Sequence, residues 1–326
     1  MQTSNKLALF TANAETIRRE FRWHSALTKR LSALLYAQKN RRINCDSIQR
    51  CLDLIKEHTG VFSTFRGNMV LSIATLLSLS PDPHLLFQET LQVYTLLKGA
   101  KLRVSDYLVV AAYEIASQAS PSNYATVVER TRAFYDGMKT KRFFSTGQDD
   151  YIFAAMLGLS DLDVTEGVAR IEQLHSQLKG EFHNRNSIQA LSQVLVLGGS
   201  DEDSLCCVLT LRDAFRTEKL RLDKCYTLPT LGILALLPVE LDTIVRDIKH
   251  VQQVLRTKKG FGPWSVSKQE LLLFAAAIAA GDYAQNIEDG ILTATLSTSI
   301  TNIIIAQQVA MIAAISASTA AAAASC

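Results

Sequence analysis

The densest cluster of chemistry-bearing side chains is the run QLKGEFHNRNS, Gln177 to Ser187, which sets Lys179, Glu181, His183 and Arg185 close together. A histidine between a carboxylate and cations is the raw material of general acid–base catalysis. The surrounding pattern points to a turn instead. Leu178 ends an apolar stripe, Gly180 stops a helix, and Asn186 or Ser187 is placed to cap the next one. LLKGAKLRVS (96–105) and RTKKGFGPWS (256–265) repeat the Lys-Gly pair and the terminal Ser without a histidine. The run is therefore structural, and only its charge remains a functional candidate.

Other chemistry fares no better. Asp149 and Asp150 precede an apolar run and could begin a magnesium site, but no further carboxylate follows one turn on, and magnesium needs several converging oxygen ligands. Helix capping is the reading that fits. Gly260-Phe261-Gly262-Pro263 has no preceding strand and no third glycine, so it is a turn rather than a phosphate loop. The histidines at 24, 58, 84, 175, 183 and 250 are scattered, and His175 falls on or beside an apolar stripe, where a satisfied, partly buried imidazole is expected. No H-E-x-x-H, G-x-S-x-G or Walker A motif occurs, so neither a metal nor a cofactor is expected. Cys45, Cys51, Cys206, Cys207, Cys225 and Cys326 form no C-x-x-C pair and read as reduced thiols. The N-terminal MQTSNKLALFTANAE lacks a basic region followed by an apolar one, so no signal peptide is expected and a cytoplasmic location is.

The elements that would position these residues are visible as a repeat. Apolar runs at 69–79, 107–116, 151–159, 188–199, 231–237 and 271–280 recur at about forty residues, the length of a two-helix unit. Between them lie helices with one apolar stripe: Tyr124, Val127, Thr131, Phe134, Met138; Val164, Val168, Ile171, Leu174, Leu178; and Leu241, Ile244, Ile248, Val251, Leu255. Spacing of this kind marks an outer helix with one buried face, whereas the apolar runs mark inner helices buried nearly all round. Strand signals are absent. The expected fold is all-α, with about six to eight helical hairpins stacked as an α/α superhelix or toroid. Residues 1–44 would form an N-terminal helical cap, 45–281 six hairpins, and 282–326 an apolar helix with an Ala/Ser-rich tail.

With 326 residues and 48% hydrophobic content the chain can bury a large core, while a net charge of +3 implies no nucleic-acid partner by itself. From Ile291 to Cys326 no side chain is charged, yet Ser, Thr, Asn and Gln interrupt the segment and no Lys/Arg cluster flanks it, so a membrane span is not expected. A terminal helix packed against the inner helices fits better.

Charge arrangement is more informative than charge total. The outer-to-inner turns carry Lys56, His58 and Arg66; Lys98, Lys101 and Arg103; Lys139, Lys141 and Arg142; Lys179, His183 and Arg185; Lys219, Arg221 and Lys224; Arg256, Lys258 and Lys259. The inner-to-outer turns at 79–85, 117–123, 158–165, 198–204 and 281–289 hold no Lys or Arg; Lys39, Arg41 and Arg42 in the first are the exception. Helix dipoles alone favour this, at about 0.3 to 1 kcal/mol per charge. The functional reading is an anion-binding edge with Lys101, Arg103, Lys141, Arg142, Lys179, His183, Arg185, Arg221, Lys224, Lys258 and Lys259 as binding residues. Glu57, Glu181, Glu218 and Asp223 interrupt it, which argues against nucleic acid.

The segments FRGNMVLSIATLLSLSPDP (65–83), FFSTGQDDYIFAAMLGLSD (143–161) and AQQVAMIAAISAS (306–318) resemble a family of Gram-positive bacterial proteins described only as a domain of unknown function. The resemblance implies a cytosolic bacterial protein and no mechanism. Function is expected to be that of a non-enzymatic helical-repeat scaffold, binding a protein or peptide through its concave face or basic rim; an anionic surface or ligand would also suit the rim. The alternative is an enzyme or small-molecule binder with a pocket at the centre of a closed toroid, built from Tyr107, Tyr113, Asp149, Asp150 and Tyr151.

Overall fold

A computed structural model describes residues 5–141, 146–199, 202–289, 303–310 and 312–315. Among the described residues the regular structure is entirely helical: α1 (Asn5–Glu20), α2 (Ala26–Gln38), α3 (Cys45–His58), α4 (Val70–Ser78), α5 (Pro83–Gly99), α6 (Asp106–Gln118), α7 (Tyr124–Lys141), α8 (Tyr151–Leu159), α9 (Val164–Leu178), α10 (Arg185–Leu197), α11 (Glu202–Thr217), α12 (Leu228–Ala235), α13 (Leu241–Thr257) and α14 (Lys268–Asp289), with short 3-10 turns between some of them. Residues 303–310 and 312–315 are also helical.

From α3 onward, one-faced and fully buried helices alternate. α13 buries Ile244, Val245, Ile248, Val251 and Leu255, all on one stripe. α8 buries every residue from Tyr151 to Gly158. Local chemistry starts these helices where the sequence suggests at several sites: Asp82 accepts from Leu85 N at 2.9 Å, Ser105 from Leu108 N at 3.2 Å, Asp163 from Glu166 N at 3.0 Å and Ser267 from Glu270 N at 3.0 Å. One expected cap differs. Asn184, rather than Asn186 or Ser187, caps α10, because its Oδ1 sits where it accepts from both the amide and the hydroxyl of Ser187 at 2.9 Å. The Thr227 hydroxyl, before α12, donates back to the Leu222 carbonyl at 2.9 Å and so is not spent on a cap.

The chain forms two compact units. Unit 1 comprises Met1–Arg22, Ala33–Ile43 and Leu178–Gln308; unit 2 comprises Trp23–Ser32, Asn44–Gln177 and Val309–Cys326.

In unit 1 the N-terminal helix shares a core with the last hairpin. The Phe10 ring lies 5.4 Å from Phe261 and 5.5 Å from Phe274, and Gln38 Nε2 donates to the Ala277 carbonyl at 2.7 Å. Buried Lys6 donates to the Gln38 carbonyl and Asn40 Oδ1, both at 3.1 Å. Asn13 donates to the Arg41 carbonyl at 3.0 Å and accepts from Ile43 N at 2.8 Å. Also in this unit, Ile303, Ile304, Ala306, Gln307 and Gln308 are buried, and Gln307 Nε2 donates to Thr230 Oγ1 of α12 at 3.2 Å. The charge-free stretch at 291–302 and the tail from 316 lie outside the described residues. No helix among the described residues is long and apolar enough to cross a membrane.

In unit 2, Arg130 of α7 clamps the end of α8: Nε donates to the Gly158 carbonyl at 3.0 Å, and Nη2 to those of Ser160 and Leu162 at 2.8 and 2.6 Å. The two helices touch so closely that a Cβ on Gly158 would lie 2.9 Å from Thr131 N and 3.0 Å from the Val127 carbonyl oxygen. Phe65, in the turn after α3, packs edge-on against Phe87 and Tyr94 at 5.6 and 5.0 Å.

Candidate binding edge

The turns that lead from outer to inner helices are tied to one another within each unit. In unit 2, the amide of Arg103, in the α5–α6 turn, donates to the Tyr151 hydroxyl at the start of α8 at 3.1 Å. Arg132 of α7 donates to the Ala100 carbonyl in the same turn at 2.7 Å. Gly67 in the α3–α4 turn lies against Asp106, which opens α6. His24, in the α1–α2 turn, has its pKa lowered by burial and by the nearby positive charges of Lys29 and Lys56. In unit 1, Lys268 and Gln269 at the start of α14 donate to the carbonyls of Lys219 and Arg221 in the α11–α12 turn, at 3.0 and 2.7 Å. Arg212 of α11 reaches Glu181 in the α9–α10 turn at 2.5 Å and stacks over Phe182.

Ten of the eleven proposed rim residues are described, and all ten are exposed: Lys101, Arg103 and Lys141 in unit 2; Lys179, His183, Arg185, Arg221, Lys224, Lys258 and Lys259 in unit 1. Arg142 lies outside the described residues. Exposure does not make them equivalent. Arg221 grips Asp223 through its Nε and Nη2, at 2.8 and 3.0 Å, and Arg216 joins them at 2.6 Å. Burial of Asp223 opposes ionisation, but the hydrogen bonds from Arg221 and Arg216 prevail and hold its carboxyl below the usual range. Arg221 is thus a structural cation. Arg66 and Arg256, elsewhere in the cationic turns, donate to the backbone carbonyls of Lys56 and Thr59 and of Phe261 and Val266 respectively. Lys101, Arg103, Lys141, Lys179, Lys224, Lys258 and Lys259 form no ion pair among the described residues.

Two residues of the alternative pocket, Asp150 and Tyr151, have structural employment. The Asp150 carboxylate accepts from the Gly147 amide at 2.8 Å, closing the turn that starts α8, and the Tyr151 hydroxyl takes the Arg103 amide. Burial raises the pKa of Asp149 and of Tyr113. His175 is buried at 1% exposure on α9, and His183 is exposed in its turn. No group of three or more His, Cys, Asp or Glu residues that could hold a metal ion occurs among the described residues.

One feature of the edge is absent from any reading of charge. Among the described residues the large apolar side chains left exposed are Trp23, Val61, Phe62, Val104, Tyr226, Trp264 and Leu85. All but Leu85 lie in outer-to-inner turns: Trp23, Val61, Phe62 and Val104 in unit 2, Tyr226 and Trp264 in unit 1. Trp23, Phe62 and Trp264 are 99 to 102% exposed. The signal was present in the sequence as aromatic residues set among Gly, Ser and Pro, in HTGVFST and FGPWSVS, where no helix stripe needs them.

Neither the curated proteins nor the solved structures contain a match to this chain. A family model described as "Protein of unknown function (DUF4003)" matches residues 13–309, which spans both units from α1 to the C-terminal helical stretch, and the chain belongs to that family.

Proposed function

We propose that this chain is a non-enzymatic helical-repeat scaffold, its hairpins stacked as an α/α superhelix or toroid, which docks an anionic partner through the edges that its outer-to-inner turns form within each unit. The observation that carries the reading is the coincidence, in the α5–α6, α11–α12 and α13–α14 turns, of cations outside any ion pair among the described residues with exposed Val104, Tyr226 and Trp264. Helix dipoles account for cations at helix C-termini. They give no reason for a side chain such as Trp264 to stand in water beside them, since it forfeits roughly 1.5 to 3 kcal/mol of burial. Adjacent cationic and aromatic side chains are what an interface with an acidic surface uses. The alternation of one-faced and buried helices supports the stacked arrangement, because it puts all turns of one kind at one end of the hairpins.

Heparin chromatography tests the reading. The native chain should be retained and elute with salt, and the combined variant K101E/R103E/K141E/K258E/K259E should elute with the flow-through while keeping its helical circular dichroism. Unaltered retention of the variant, or no retention of the native chain, would remove the proposal.

A further inference from the structure

The partner class can be narrowed from the geometry of unit 2, on the premise that its edge is the binding surface. Gly60 to Ser63 form a tight turn closed by the Ser63 amide donating to the Gly60 carbonyl at 3.0 Å, which leaves Val61 and Phe62 at its apex. The turn is braced on both sides: Ser63 Oγ accepts from Phe65 N at 3.3 Å, and the Arg66 guanidinium ties the next residues to the end of α3. Val61 is 75% exposed and Phe62 102%, so nothing in the protein supports either side chain. Trp23, 99% exposed, stands in the α1–α2 turn, in the same unit. Lys101 and Arg103 stand exposed in the next turn along.

Trp23 and the Val61–Phe62 pair stand in two separate turns. A folded acidic protein would need a separate pocket for each tip, matched in spacing. A bilayer interface needs none, since it accepts aromatic rings at headgroup depth wherever they arrive, and anionic headgroups supply the charge that the lysines and arginines complement. We infer that the Gly60–Ser63 turn and Trp23 insert into the interface of an anionic phospholipid membrane, with Lys101 and Arg103 against its headgroups. Such docking differs from spanning: no helix among the described residues is long and apolar enough to cross. Several shallow tips plus a basic patch give reversible attachment of the kind that needs both signals together.

The chain has two tryptophans, Trp23 and Trp264, so W264F leaves Trp23 as the sole indole reporter. Full-length W264F is mixed with vesicles of phosphatidylglycerol and phosphatidylcholine, or of phosphatidylcholine alone. The expected result is co-sedimentation with the anionic vesicles, a blue shift of Trp23 emission and protection from acrylamide quenching, all absent with phosphatidylcholine. Adding F62S, at a position too exposed to affect folding, should weaken vesicle partition about tenfold. Adding K101E/R103E instead should abolish it. Sedimentation without the Trp23 shift would overturn insertion, as would equal partition of the F62S form. Heparin retention without vesicle binding, or capture by an acidic polypeptide such as polyglutamate in its place, would overturn the lipid assignment and leave the edge itself standing. Loss of both kinds of binding would end both proposals.

Discussion

Lys101 and Lys219 hold φ angles of 63° and 57°, in the left-handed region that glycine favours. Each ends an outer helix in the same way. Leu102 N donates to the Leu97 carbonyl and Leu220 N to that of Phe215, while the lysine amides bond to Lys98 and Arg216. The sharp turn drives Leu102 and Leu220 into the core, both 4% exposed, and leaves the lysine outside on the edge. A side chain in this conformation costs about 1 to 2 kcal/mol, against about 0.5 to 1 kcal/mol of extra unfolded-state entropy for glycine. Lys101→Gly is therefore expected to raise the urea midpoint by an amount worth about 0.5 to 1 kcal/mol, while weakening heparin retention; a fall in stability would show that the lysine stem packs usefully. The sequence misdirects here. Gly180 looks like a helix stop, yet among the described residues the left-handed positions after the helices are Gly199 and Gly260 together with Asn40, Lys101 and Lys219. After α2, α5 and α11 a rule that looks for glycine therefore misses the residue that makes the turn.

At the scale of elements, periodicity was a good guide because burial of an apolar stripe is what makes a helix fold in this setting. The stripes beginning at Tyr124, Val164 and Leu241 open α7, α9 and α13 at those residues. Side-chain caps at Asp82, Ser105, Asp163 and Ser267 need only one residue type and one spacing. The separation of exposed cations from those engaged by the fold was not legible, since it depends on carbonyls and carboxylates brought in by the fold, as for Arg66, Arg221 and Arg256. Nor was the closeness of α7 and α8. Gly158→Ala places a methyl against backbone atoms of Thr131 and Val127 that no rotamer change relieves. A loss of about 1 to 3 kcal/mol is expected, read as a lower thermal midpoint. The same change should loosen the Arg130 clamp on the Gly158 carbonyl. Unchanged stability would mean that the helices part without cost.

For the molecule as a whole, the least legible feature was the company kept by the N-terminal helix. Its stripe shows that α1 buries Leu7, Phe10, Ala14 and Ile17 but does not say against what. The partner in unit 1 is the last hairpin, through Phe261 and Phe274. Phe10→Ala should cost about 3 to 5 kcal/mol and increase amide exchange in α14 as well as in α1. If exchange rose in α1 alone, the ring contacts would be ornamental to the last hairpin. This pairing also constrains how the chain is made. Gln38 waits for Ala277, a partner 239 positions further along, and at roughly 5 to 20 residues per second the ribosome takes on the order of 10 to 50 s to supply it. During that interval the apolar face of α1 is out of the tunnel without its mate, so exposure of that face to chaperones is expected until α14 has been made.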